Sequence, residues 1–292
     1  MVFRVSIVVF LAVAAGCSSS GQPYVTDVRL DKGLVVVLTG IHGRLWLSES
    51  ICKGLDEGGA DCAIEIDDWT YEGKWLPFYN LGAYERNHEM AKRLAARIVQ
   101  YQKDHPGGPV TLVGYSGGGP LAVWTAEAMP QGAQLDSLIL LSTPLVPEYD
   151  LGPALAASRK GIASFYSKRD IVYLGLGTLI FGTMDKKHKV SAGNLGFIVP
   201  QSGQRAAAYQ RLYQIRWRPD MGKLGYSGSH LTIGAGSFVA CCIAPLVRAP
   251  TWDQDLIDRA ARGQATAQIA ATRPAGASSA TAAADVDGQA AK

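Results

Sequence analysis

The sequence predicts an α/β domain, a mainly parallel sheet flanked by helices, and three observations carry that expectation. Almost wholly apolar runs, "LVVVL" at 34–38, "VTLV" at 110–113 and "LDSLILLS" at 135–142, read as strands buried on both faces. Between the first two, "ERNHEMAKRLAARIVQYQ" at 85–102 changes to a helical period, with Met90, Leu94 and Ile98 four apart and Arg, Lys and Gln between them. At 113–120, "VGYSGGGP" turns a strand straight into a helix through a knot of glycines. Strands of this kind alternating with helices make a parallel sheet covered on both sides.

In chain order, residues 1–16 have one early basic residue, Arg4, and then an apolar run that ends in small residues before Cys17, the arrangement of a secretory signal. The run is shorter than the roughly 20 apolar residues a bilayer requires. The residues "AAGC" at 14–17 resemble the lipobox of bacterial lipoproteins. That resemblance implies export, a lipidated Cys17 as the new N-terminus, and attachment to a cell-envelope membrane; cleavage nearby without lipid is the alternative. Residues 17–31 then serve as tether and lead-in.

The expected folded body is 32–262. Its first strand, 34–38, is bounded by Gly33 and Gly40, and "DCAIEIDDW" supplies a second with Cys62, Ile64 and Ile66 on one face. The amphipathic helix ends before "DHPGG". "PVTLVGYS" is the third strand, followed by a helix over 117–129, and 135–142 is the fourth. "GIASFYSKRD" gives a shorter strand before Asp170 and "RLYQIRWRPD" another before Asp220. "HLTIGAGSFVACCIAPLV" at 230–247 reads as a last helix or helix pair. The irregular stretch 171–204 is a candidate cap or substrate wall. Residues 263–292, dominated by Ala, Gly, Thr and Ser, cannot offset their ordering entropy by burial and are expected to be a disordered tail.

Composition narrows the function classes. The 292 residues are 48% hydrophobic and 18% charged, with 28 basic and 25 acidic side chains giving a net charge of +3. No basic stripe is present, and "DKKHK" at 185–189 reads as a solvated loop, so no nucleic-acid partner is expected. Of five cysteines, Cys52 and Cys62 are near enough in sequence that they could close a short disulfide loop, which an exported location permits but does not dictate, while Cys241 and Cys242 lie in an apolar run as small packing residues. No Cys or His ligand spacing suggests a metal, and no cofactor is implied.

The chemistry concentrates at Ser116. A strand that turns at once into a helix strains the turn residue, and Gly114 and Gly118 remove Cβ atoms that would collide there; the hydroxyl is expected in the open above the C-terminal edge of the sheet. The helix that follows offers backbone N–H groups to a developing oxyanion. A phosphate cradle is the competing use of such a turn, but the Lys-Ser or Lys-Thr of a P-loop is missing.

A hydroxyl needs a base, and the histidines are His42, His88, His105, His188 and His230. His88 lies on the amphipathic helix, His105 in the turn that ends it, and His188 among lysines. His230, after the last strand and a loop of small residues, can reach over the sheet edge. The carboxylate that would fix its tautomer should follow a strand and precede it in the chain. Asp170 is preferred, Asp220 competes, and Asp150 is a weaker candidate.

"GYSGG" around Ser116, Asp170 after "FYSKR" and His230 after "YSGS" resemble, in chain order, the nucleophile, acid and histidine segments of the α/β-hydrolase superfamily. The resemblance covers roughly 32–248 and implies an α/β-hydrolase fold shortened at its N-terminal edge, since little sequence precedes Lys32. It implies catalytic Ser116, His230 and Asp170. After "VVVLTGIHG", it implies oxyanion donors at the amides of Gly117 and Ile41, with Arg44 replacing Ile41 if His42 and Gly43 match the family's His-Gly pair.

The implied activity is hydrolysis of a carboxylic ester, in a carboxylesterase- or lipase-like way, on a small-molecule or lipid-like acyl substrate. A peptidase or amidase with the same triad, and a non-catalytic envelope scaffold, are the alternatives. "LGLGTLIF" at 174–181 and "IFGTM" at 180–184 either line an acyl pocket or pack the core.

Overall fold

The computed structural model describes residues 22–71, 77–171, 174 and 182–265. Residues 1–16, Cys17, most of the 174–181 stretch and the tail beyond 265 lie outside them. Six strands, β1 (Leu34–Leu38), β2 (Ala63–Asp67), β3 (Val110–Tyr115), β4 (Ser137–Leu141), β5 (Ile162–Tyr166) and β6 (Leu212–Arg216), form one sheet in the order β2-β1-β3-β4-β5-β6. Every neighbouring pair is parallel. Among the described residues no strand precedes Leu34, and a single helical turn, α1 (Asp27–Leu30), leads into it.

Side-chain alternation divides the core in two. Val35, Val37, Ile64, Val113, Ile139 and Phe165 face one layer; Val36, Leu38, Leu112, Leu138, Leu140 and Ile162 face the other. Both layers are filled, so the central strands β1, β3, β4 and β5 are buried almost throughout, while the edge strands β2 and β6 carry Glu65, Asp67, Gln214 and Arg216. The second layer is covered by α4 (Tyr84–Asp104), through Leu94 and Ile98, and by α5 (Gly118–Glu127), through Leu121 and Val123.

The first layer is covered by α2 (Trp46–Glu57), through Leu47, Ile51 and Leu55, and by helical turns over 236–248 and Gln254–Ala261. The helix expected over 230–247 starts only at Gly236 and continues to Arg248 as one run interrupted by a π turn at Val239–Ile243. Pro245 follows it, and a proline cannot donate the backbone bond that a regular helix needs there.

The strand order places a switch point between β1 and β3. The chain passes from β1 outward to β2, then returns to β1's other side and proceeds the opposite way. In open parallel sheets the crevice at the C-terminal ends of such a pair is where ligands bind. The residues following β1 and β3 are the 39–45 loop and Ser116.

The structure bears on two points that the sequence leaves open. Cys52 and Cys62 are free thiols, not a disulfide. Cys52 points from α2 into the core, and burial pushes its thiol up to about 12 and that of Cys62 up to about 11. Met184, the last residue of "IFGTM", is fully buried with Leu145 and Ala192 in the second layer and so packs the core. Among the described residues, no helix is long and apolar enough to cross a membrane.

Candidate active site

Ser116 has φ 51°, in the left-handed region that a non-glycine residue occupies only when its surroundings hold it there. The Ser116 amide donates to Leu141 O at 2.9 Å, and Ser116 O accepts from the Gly119 amide at 2.8 Å. The turn also depends on absent side chains. A Cβ on Gly114 would lie 2.5 Å from Gly118 O, and one on Gly118 would lie 2.3 Å from Leu38 O. Only glycine lets α5 start this close to β1.

His230 sits in a loop tied by hydroxyls: the Ser227 amide donates to Thr232 Oγ1 at 3.1 Å, and the Tyr115 hydroxyl donates to His230 O at 3.3 Å. Asp170 follows β5 in a tight turn in which its amide donates to Ser167 O at 3.0 Å. Asn194 Nδ2 donates to Asp170 O at 3.0 Å and to Ser167 O at 3.2 Å, holding the turn from behind.

The structure brings the three side chains together. His230 Nε2 is 2.9 Å from Ser116 Oγ, and His230 Nδ1 is 2.7 Å from Asp170 Oδ2. A carboxylate only accepts, so Nδ1 carries the proton toward Asp170 and Nε2 is left to accept from the serine hydroxyl. Asp170 is 2% exposed and His230 6%, which removes competing water from that pair. Ser116 is 9% exposed, so its hydroxyl is largely covered and not in the open as the sequence suggested. The reason is local: Ile41 and Trp69 pack against Gly117 on one side and His230 closes the other.

The remaining candidates are placed elsewhere. Asp220 is exposed and held by Arg218 at 2.9 and 3.1 Å, and those hydrogen bonds hold its carboxyl below the usual range. Asp150 Oδ1 accepts from the Gly152 amide at 3.0 Å and from the Tyr209 hydroxyl at 3.2 Å. His88 stacks on Trp124 with centroids 4.1 Å apart, His105 pairs with Asp31 at 2.9 Å, and His42 and His188 are exposed.

Of the two amides considered opposite Gly117, that of Arg44 already donates to Asp68 Oδ2 at 2.8 Å. The Ile41 amide has no acceptor among the described residues, nor has that of Gly117. They lie side by side: a Cβ built on Gly117 would be 3.3 Å from Ile41 N and 2.6 Å from Ile41 Cγ2. Two unengaged donors beside a hydroxyl that shares its proton with an imidazole form an arrangement able to receive a tetrahedral oxyanion. Among the described residues, no group of three or more His, Cys, Asp or Glu side chains is placed to hold a metal ion.

No protein-family model matches the chain, and no curated protein matches it in sequence. Solved structures similar to it include lipase B of Aspergillus fumigatus, at 13% identity and TM-score 0.46 over 85% of this chain and 63% of that one. The chain thus spans about 63% of that lipase's length. The esterase domain of a Rhodothermus marinus protein is similar at 15% identity and TM-score 0.39, over 74% of this chain and 85% of that one. A lipase-esterase related protein of Clostridium acetobutylicum ATCC 824 is similar at 11% identity and TM-score 0.37, over 71% and 91% respectively. At these values the likenesses bear on neither substrate nor mechanism.

Proposed function

We propose that this protein is a serine hydrolase that cleaves carboxylic esters through an acyl-enzyme. The observation that carries the reading is the unbroken relay from Ser116 Oγ through His230 to Asp170, at 2.9 and 2.7 Å. As Oγ attacks the ester carbonyl carbon, its proton passes to Nε2, and Asp170 stabilises the imidazolium without itself becoming protonated. The carbonyl oxygen, now an oxyanion, is received by the amides of Ile41 and Gly117. The imidazolium returns the proton to the departing alkoxide, leaving the acyl group on Oγ. Water attacks that acyl carbon as His230 takes its proton, and the acid leaves as Oγ is reprotonated.

An apolar acyl substrate fits the surroundings, because Leu45, Tyr71 and Leu231, on connections at this edge of the sheet, and Trp46 at the start of α2 are exposed. The test uses the purified protein with p-nitrophenyl esters from acetate to palmitate and with a peptide anilide. Ester hydrolysis is expected, with a loss of roughly 10⁴-fold or more in kcat for Ser116→Ala. Full activity in Ser116→Ala would end the reading, no hydrolysis of any substrate by the wild type would favour a non-catalytic scaffold, and cleavage of the anilide alone would make the protein an amidase.

The proposal includes a lipid anchor at Cys17. Gln22 Oε1 accepts from the Ile66 amide at 2.8 Å and its Nε2 donates to Ile66 O at 3.3 Å, fixing the chain beside the C-terminal end of β2. From Cys17 to Gln22 the chain spans at most about 18 Å when fully extended. A lipid on Cys17 would therefore hold the site's edge of the sheet close to the membrane surface. Intact mass of membrane-extracted protein should show acyl groups on a chain starting at Cys17; an unmodified, released chain would remove the anchor.

A further inference from the structure

The connection between β2 and α4 carries two buried asparagines that take no part in the relay. Asn80, in α3 (Pro77–Gly82), is 3% exposed, and Asn87, in the first turn of α4, is 0% exposed. Such amides are costly to bury unless they bond, and these do. Asn87 Nδ2 donates to Asn80 O at 2.7 Å, the Tyr71 amide donates to Asn80 Oδ1 at 3.0 Å, and Asn80 Nδ2 donates to Ile41 O at 2.9 Å. Because Oδ1 receives an N–H, the opposite end of the Asn80 amide must be the NH₂ facing Ile41, so the side chain has one possible orientation.

Residues 40–44 belong to no strand or helix. The bond from the Gly43 amide to Gly40 O, at 3.0 Å, is internal to the loop and moves with it. What ties the loop to the rest of the molecule is a set of side chains from the residues after β2. Trp69 Nε1 donates to Thr39 O at 2.7 Å, Asp68 accepts from the Arg44 amide, and Asn80 reaches Ile41 itself. The side chain of Asn80 therefore grips, at its carbonyl, the same residue whose amide nitrogen lies beside Gly117.

We propose that Asn80, carried in turn by Asn87, is a positioning residue for the oxyanion-binding amide of Ile41, an inference that rests on the reading of Ser116 as nucleophile. Donors of this kind act only when fixed in advance where charge develops, and a misplacement of about 1 Å costs about 10²-fold. The role differs from that of a structural asparagine in a measurable way. Loosening the loop leaves substrate binding and the Ser116–His230–Asp170 relay in place, but weakens the donor that strengthens only in the transition state.

The test compares wild type, Asn80→Ala and Asn80→Asp on p-nitrophenyl acetate, with sites counted by fluorophosphonate titration. Asn80→Asp keeps the size of the side chain and an acceptor for the Tyr71 amide, but when ionised cannot donate to Ile41 O. Both variants should lose ~10- to 100-fold in kcat per titrated site, with KM changed less than about threefold. Affinity for a trifluoromethyl ketone, which forms the tetrahedral oxyanion on Ser116, should fall in proportion. A merely structural Asn80 predicts fewer titrated sites and a lower Tm, with wild-type kcat for each site that remains. That result in Asn80→Asp overturns the proposal even if Asn80→Ala does not fold. If fluorophosphonate fails to label the wild type and Ser116→Ala stays active, the nucleophile reading fails first and this proposal falls with it.

Discussion

Replacing Gly118 by alanine tests how the tight start of α5 sets the site. The new Cβ would stand 2.3 Å from Leu38 O, 2.7 Å from Leu38 C and 2.8 Å from Leu38 Cβ. Leu38 cannot give way, because it is fully buried in β1 and registered with Asp67 on one side and Gly114 on the other. Ordinary contact begins at 3.4 Å, so the first turn of α5 must lift by about 1 Å, carrying the Gly117 amide and Ser116 with it. Overpacking of this kind costs about 1–3 kcal/mol. With a urea dependence of about 2 kcal/mol/M, the midpoint of unfolding should fall by about 1 M. The displaced serine and donor should reduce kcat per titrated site by about 10²-fold. Gly222→Ala, where a Cβ meets nothing within 4 Å, should change neither quantity. A Gly118→Ala protein with wild-type midpoint and wild-type turnover would refute the argument that this glycine sets the elbow.

Other expectations follow from the same geometry. Asp170→Asn should fold and lose about 10⁴-fold in kcat through the wrong imidazole tautomer, whereas Asp220→Asn should stay near wild type, both read on p-nitrophenyl acetate. Asp136 and Lys160, each 3% exposed in their side chains, pair at 2.5 Å at the other end of the sheet, so Asp136→Ala should cost about 3–5 kcal/mol in urea unfolding by stranding the lysine. Burial pushes the Glu127 carboxyl from 4.5 up to about 7 against the hydrogen bonds from Tyr149. The folded state therefore binds more protons than the unfolded chain between those values, and stability should fall as pH rises from about 4.5 to about 7; Glu127→Gln should flatten that part of the urea midpoint profile.

How much was legible in the sequence varies with how local the cause is. The central strands are readable because burial of both faces leaves them almost without charged residues, and the Ser116 turn because strand, glycines and helix are contiguous. Asp170 and Asp220 looked alike, each a carboxylate after a strand. Each lies four residues beyond the end of its strand; they differ in that Asp170 sits in a turn gripped by Asn194, whereas Asp220 lies in the first turn of a 3-10 helix and is claimed by Arg218.

α2 escapes the sequence reading although Leu47, Ile51 and Leu55 repeat four apart, and the glycine inside it, Gly54, has a tertiary reason, as a Cβ there would lie 2.7 Å from Gly236 O. The cover over Ser116 and the grip of Asn80 on Ile41 arise from residues 39 or more positions apart in sequence. No periodicity or motif announces them. The only sequence signal for Asn80 was an uncharged amide close to an apolar helix, which many surface positions share.

The central claim is that Ser116 is a nucleophile activated by His230, and locating a covalent adduct tests it most directly. Wild-type protein treated with a fluorophosphonate and digested should carry the phosphonyl group on the peptide that contains Ser116, with the adduct absent in Ser116→Ala and formed far more slowly in His230→Ala. An adduct on another residue, or none at all while esters are still hydrolysed, would contradict it.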